Sequence, residues 1–303
     1  MTNLRYDIVD VFTDRPYAGN PLAVVHGADG LATEALQAIA AEFHLSETAF
    51  PLPPTRSGAD YRVRIFTPAV ELPFAGHPSV GTAWVLARDG VIGTGEVVQE
   101  CGAGLLPVQV DGAGARVSGG TPEVGDDLDA AALAAAVGLD LDDVDGAAAP
   151  GIAAAGVPYA FLPVRADAVA RAVPDPITLR ALTADLTGLV VFSIDQAAEQ
   201  VHLRMFGAGV GVDEDPATGS AAVALGVYLV DRGLLAPDGE SAFTVAQGAE
   251  IGRPSTLEAL VRARGGAAVQ TSVRGGVAAV AGGELVALPG GEQGRGGHRA
   301  QRK

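Results

Sequence analysis

Cysteine and lysine are almost missing from this 303-residue chain, and each scarcity removes a class of chemistry. A single cysteine, Cys101, allows neither an internal disulfide nor a thiolate metal cage. The single lysine, Lys303, is the last residue. That leaves no internal amine for a Schiff base to pyridoxal phosphate or to a carbonyl substrate, and no Walker A phosphate loop. Basic residues are scarce too, 20 Lys and Arg against 36 Asp and Glu. The net charge of −16 disfavours nucleic acid or an anionic membrane as a partner and reads as solubility. The longest uncharged apolar run, near Ser220 to Val230, is too short to span a bilayer. The opening MTNLRYDIVDVF carries Asp7 and Asp10 and is not expected to be a signal peptide, so a cytoplasmic protein is expected.

What remains is a well-packed globule, 48% hydrophobic, with room for two ordinary domains. Strands are predicted at Tyr6 to Phe12 and Ala23 to Val25, separated by a loop holding AGNP, Ala18 to Pro21. An amphipathic helix follows over Thr33 to Phe43, with Thr33 as its expected N-cap. Strands at Thr48 to Leu52 and Tyr61 to Phe66 lead to an apolar helix over Pro78 to Ala87, stopped by Gly90. Strands at Glu96 to Glu100 and Leu105 to Val110 end the first half. Residues 119–129 shift to Gly, Pro and acid and read as a linker. Beyond it come a helix over Leu128 to Val137, strands at Ala160 to Pro163, Leu189 to Ser193 and Val201 to Phe206, and a second apolar helix over Ser220 to Val230. The Gly-rich, basic residues 290–303 read as a disordered tail.

The two apolar helices belong to an internal repeat. At an offset of 143, Pro73 falls on Pro216, Gly76 on Gly219, His77 on Ser220 and Gly90 on Gly233. Upstream, Arg64-Ile65-Phe66 matches Arg204-Met205-Phe206 at an offset of 140. Both helices lack a polar face, as a helix wrapped by strands would. The fold expected is therefore α+β, with two pseudo-symmetric halves. Each half is a curved, mostly antiparallel sheet or barrel around one central helix. Residues 1–118 form the N-terminal half, with a last strand near 283–289 as the candidate to complete it, and residues 119–289 the C-terminal half.

A helix N-terminus presents unpaired N–H groups and a partial positive charge, and so attracts anions. If the halves face each other, two such termini meet at one ligand, a small carboxylate. Against this stands a purely structural reading in which Thr218 and Ser220 cap their helix. The diaminopimelate epimerase and proline racemase group uses two such halves with a thiol at each helix start. Here those places hold His77 and the Asp215 to Ser220 turn, and one cysteine cannot form a thiol pair. Cys101, in ECGAG, reads as a packed small residue in a strand. Proton transfer then falls to carboxylates or histidine, with Glu47, His77 and Asp215 as candidates.

At these residues the chain resembles the phenazine-biosynthesis isomerase (PhzF-like) family, which shares the diaminopimelate epimerase-like fold. The matches are VDVFTDRPYAGNPLAVV at 9–25, SETAF at 46–50, RIFTPAVELPFAGHPSVGTAWVL at 64–86 and GVDEDPATGSAA at 211–222. Residues 111–200 match only weakly and leave the substrate open. The resemblance implies a cofactor-independent isomerase that moves a proton on a small carboxylate. It places Glu47 as the acid/base, with His77 and Asp215 as supporting catalytic groups. Asn20, Ser46, Gly76, Thr218, Gly219 and Ser220 would hold substrate. No metal or other cofactor is expected; a homodimer is. The alternative is a non-catalytic binding or protein-interaction member of the same fold. GAGVG at 207–211 precedes acids rather than a helix and is no dinucleotide fingerprint. DLDDVDG at 140–146 lacks the Gly register and final Glu of a calcium loop and reads as a solvated acidic turn. The histidines 26, 44, 202 and 298 form no i, i+4 pair and suggest no metal site.

Overall fold

The structure, a computed structural model, describes residues 3–208 and 212–289. The tail at 290–303 and residues 209–211 of the GAGVG stretch lie outside the described residues. The first half runs β1 (Leu4–Val11), β2 (Asn20–Val25), α1 (Thr33–Phe43), β3 (Glu47–Leu52), β4 (Tyr61–Phe66), β5 (Glu71–Leu72), α2 (Gly76–Arg88), β6 (Gly95–Cys101), β7 (Gly104–Val110) and β8 (Gly114–Ser118). The second runs β9 (Pro122–Asp127), α3 (Ala130–Ala136), β10 (Gly151–Ala155), β11 (Pro158–Pro163), α4 (Ala166–Val169), α5 (Pro176–Leu182), β12 (Leu189–Asp195), β13 (Gln200–Gly207), β14 (Val212–Asp215), α6 (Gly219–Asp231), β15 (Gly239–Gln247), β16 (Ser255–Arg264) and β17 (Ala267–Leu285).

The pairing repeats strand for strand. In the first half β1–β2 is antiparallel, β2–β3 parallel, β3–β4 antiparallel and β4–β6 parallel, followed by the antiparallel pairs β6–β7 and β7–β8. In the second the same sequence of senses runs β10, β11, β12, β13, β15, β16, β17. Strand β17 serves both halves. Its start pairs with β16, its middle with β8, and its end with β1, which closes the first ring of eight strands. In the second half β9 joins β10, and the Gly119 N–H donates to the Thr271 carbonyl of β17 (2.9 Å).

Inside the rings lie α2 and α6, each 13 residues long and starting 143 residues apart. Their small residues allow close approach: a Cβ on Gly81 would lie 2.6 Å from Leu22 Cδ2 and 2.9 Å from Val11 Cγ2. Cys101 is buried within the same core. The repeat also extends further than the helices. Ala18-Gly19-Asn20-Pro21, entering β2, recurs as Ala155-Gly156-Val157-Pro158, entering β11.

Four local expectations are corrected. Thr33 is not the N-cap of α1; Ala32 is, and the Thr33 hydroxyl accepts a hydrogen bond from Arg64 (3.0 Å). The stretch 119–129 is not simply a linker, because its middle is β9, an edge strand whose side chains are mostly exposed. The helix predicted from Leu128 starts at Ala130, since the Asp129 carboxylate caps it through the N–H groups of Ala131 and Ala132. The acidic turn at 140–146 is not wholly solvated: it holds a 3₁₀ turn in which Asp143 is buried and paired with Arg171.

Candidate active site

Two strand–turn–helix units bring the candidate residues together. In each, an arginine at the end of a strand reaches a glutamate on the next short strand. Arg64 grips Glu71 through Nε and Nη2 (2.7 and 2.6 Å), and Arg204 grips Glu214 the same way (2.9 and 2.7 Å). Each guanidinium also covers the phenylalanine two residues on, Phe66 or Phe206. These grips brace the Pro turns that lead into α2 and α6.

The helix mouths meet. A Cβ on Gly76 would lie 3.7 Å from Gly219 Cα and 3.8 Å from Ser220 N. The N-cap residues Ala75 and Thr218 are extended, and neither helix receives a side-chain cap among the described residues. The capping reading of Thr218 and Ser220 therefore fails. The first-turn N–H groups of Gly76 and His77 in α2 and of Gly219 and Ser220 in α6 take no side-chain cap among the described residues, as an anion site requires.

Asn20 spans the two halves. Gly19, at φ +66°, lets the chain enter β2 where a Cβ would strike the Val11 carbonyl oxygen at 2.3 Å. Asn20, buried at the start of β2, donates through Nδ2 to Asp215 Oδ1 (3.0 Å) and to the Ala217 carbonyl (3.0 Å). Ser46 Oγ donates to Asn20 Oδ1 (3.1 Å), and Thr218 Oγ1 donates to Asp215 Oδ2 (2.5 Å). Two residues that the sequence reading missed complete the network. Gln247, at the end of β15, accepts from the Thr218 N–H (3.0 Å) and donates to the Asp215 carbonyl (2.7 Å) and to Thr218 Oγ1 (3.0 Å). Tyr159, on β11, shares a 2.7 Å hydrogen bond with Ser220 Oγ. The AGNP/AGVP match, which lies one residue ahead of Tyr159, was the available signal for it; Gln247 had none.

Glu47 opens β3, opposite Leu22 of β2. Its Oε2 stands 3.3 Å from His77 Nε2, and neither atom has a hydrogen-bond partner among the described residues. Burial pushes the His77 imidazole down to about 3, so it is neutral near pH 7. Burial lifts the Asp215 carboxyl to about 6, with its bonds from Thr218 and Asn20 opposing and the Glu214 charge adding. Glu47 is lifted to about 7, first by burial and then by the charge of Asp215, with Ser46 pulling the other way. Both carboxyls are thus lifted towards neutrality, leaving Glu47 able to hold or release a proton there.

One histidine–carboxylate cluster elsewhere, Asp7, His26 and Asp89, has the spacing of a metal site. Arg5 and Arg88 both bond its two carboxylates, so the group is a charge-balanced ion-pair network. It lies at the C-terminal end of α2, the end away from His77. No helix among the described residues is long and apolar enough to cross a membrane.

Residues 9–283 match the family model described as "Phenazine biosynthesis-like protein". The chain is 36% identical over 310 residues to an uncharacterized isomerase of Mesorhizobium japonicum, covering 94% of this chain and 99% of that one. It is also 36% identical over 284 residues to a trans-2,3-dihydro-3-hydroxyanthranilate isomerase of Pseudomonas aeruginosa, covering 91% and 97%. A crystal structure of a PhzF-family phenazine biosynthesis protein from Bacillus anthracis superposes with a TM-score of 0.83 at 27% identity, covering 95% of this chain and 100% of that one. Two half-barrels around central helices, helix mouths meeting beside Glu47, and these likenesses along nearly the whole chain lead to one conclusion: the chain belongs to the phenazine biosynthesis-like family of isomerases.

Proposed function

We propose that the protein moves a proton on a small carboxylate-bearing metabolite without a cofactor, using Glu47 as the single proton carrier. The observation that carries this is Glu47 Oε2: buried, without a hydrogen-bond partner among the described residues, and on a carboxyl lifted to about 7. The substrate carboxylate sits at the two helix mouths, with Asn20, Ser46, Gly76, Thr218, Gly219 and Ser220 around it. Glu47 takes a proton from a carbon next to an activating group, and the electron pair passes into that group. The helix mouths stabilise the charge that develops there, a role otherwise given to a metal ion. Glu47 then returns the proton to a different carbon, so the formula is unchanged. His77, neutral, and Asp215 orient the ligand.

Double-bond migration is favoured over inversion by the pairing register. Thr48 pairs with Phe66, and Leu189 with Phe206, the repeat-mate of Phe66. The residue before Thr48 is Glu47, whereas the residue before Leu189 is Gly188. The second half therefore supplies no side chain where an opposing base would stand.

The test uses trans-2,3-dihydro-3-hydroxyanthranilate, the compound named for the Pseudomonas aeruginosa relative, alongside simple amino carboxylates in deuterated water. Proton NMR should show enzyme-dependent loss of one C–H signal and movement of a double bond. Exchange with none of these compounds would favour the non-catalytic alternative.

A further inference from the structure

Tyr159 has no place in the chemistry above, yet it is fully buried and its hydroxyl reaches the mouth of α6. We propose that Tyr159 is a positioning residue that holds the Ser220 hydroxyl so that its proton points at the ligand carboxylate. The inference rests on the reading of the helix mouths as a carboxylate site.

Three observations carry it. First, Ser220 is left without the usual helical outlet for its proton. Ser79, near the start of α2, sends its hydroxyl back to the Ala75 carbonyl (2.8 Å); Ser220 bonds instead to Tyr159 (2.7 Å). Second, the hydroxyl occurs in one half only. Pairing register sets Ala160 opposite Leu189 as Ala23 is opposite Thr48, so Tyr159 stands where the first half has Leu22. The apolar residue suffices for the barrel wall, and the extra oxygen appears on the side that bears Ser220. Third, Tyr159 has a proton to give. Burial raises its phenol pKa, with the bond to Ser220 opposing and the charges of Asp215 and Glu47 adding to the rise. With Tyr159 donating to Ser220 Oγ, the serine proton and the Ser220 N–H are both directed outward from the first turn.

The probe is anthranilate, a stable planar amino carboxylate, titrated by calorimetry into wild type, Tyr159→Phe, Ser220→Ala and the double variant. Each single change should weaken binding about tenfold, the effect expected for one hydrogen bond to a charged group. The double variant should be no weaker than Ser220→Ala alone, because both changes remove the same contact. In turnover the loss should appear in KM rather than kcat. A purely structural hydroxyl would instead lower the melting temperature of Tyr159→Phe and leave anthranilate affinity unchanged, which overturns the proposal. Additive losses, or no binding by wild type, overturn it as well. Should Tyr159→Phe not fold, protein labelled with 3-fluorotyrosine supplies the readout. One buried ¹⁹F resonance should shift on adding anthranilate and stay fixed in Ser220→Ala; a shift that persists in Ser220→Ala overturns the proposal. Coupled binding without any C–H exchange would leave this inference standing while the proposed reaction failed.

Discussion

Glu47 is pulled two ways, since a base must be able to ionise and a buried carboxyl resists ionising. Its folded pKa of about 7 lies above the ordinary 4.5. The folded protein therefore keeps a proton that the unfolded chain has released between those values. Stability from this group is fully present below about pH 4.5 and is lost as the pH rises through about 7. Glu47→Gln should accordingly melt higher than wild type at about pH 8, by up to ~3 kcal/mol, and match it at about pH 4. Calorimetric scans at the two pH values check this. The same replacement should lower turnover ~10²–10⁴-fold with the fold intact; retention of a third of wild-type turnover would transfer the role to His77 or Asp215. His77→Asn and Asp215→Asn should lose less. For wild type, kcat/KM should fall as pH drops through about 7, because Glu47 must be ionised to accept a proton. A profile that stays flat down to about pH 5 would argue against it.

At the scale of elements, the Pro-turn geometry decides where Asp215 sits. Gly248 follows β15 at φ +78°, and a Cβ there would lie 2.5 Å from the Pro216 carbonyl oxygen and 2.4 Å from that of Arg253. Gly248→Ala should therefore destabilise by at least ~1–3 kcal/mol and reduce activity further by moving the turn that carries Asp215. Chemical denaturation and steady-state kinetics on the same variant separate the two effects. The sheet pattern around these turns was only partly legible in the sequence. Both central helices and their 143-residue offset could be read directly, because an all-round apolar helix has few other uses. Strand β9 escaped because it is an exposed edge with Gly125 and three acids, held by pairing with β10 rather than by its own burial. Thr33 misled because cap preference is local, whereas its hydroxyl is engaged by Arg64 from a neighbouring strand. Among the site residues, those in the repeated turns could be located as helix mouths. Tyr159 could be reached only through the AGNP/AGVP match beside it, and Gln247 not at all, since tertiary pairing with no periodic trace brings it there.

Over the whole molecule, the first half is not self-sufficient. A fragment of residues 1–118 would leave β1 and β8 as open edges, since β17 pairs with both. It should show no cooperative thermal transition by circular dichroism; a sharp melt like that of the full chain would show that the first ring closes without β17. The shared strand also bears on how the protein is made. Leu4 pairs with Leu285, so β1 must await a strand made almost the whole described chain later. At ~5–20 residues per second that interval is roughly 15–60 s. Through all of it the opening strand lacks its final neighbour, while β2 and the rest of the first ring are already available to pair. Closure of that ring is thus a late event of high contact order, and the nascent N-terminal half is the natural client for a chaperone that shields strand edges.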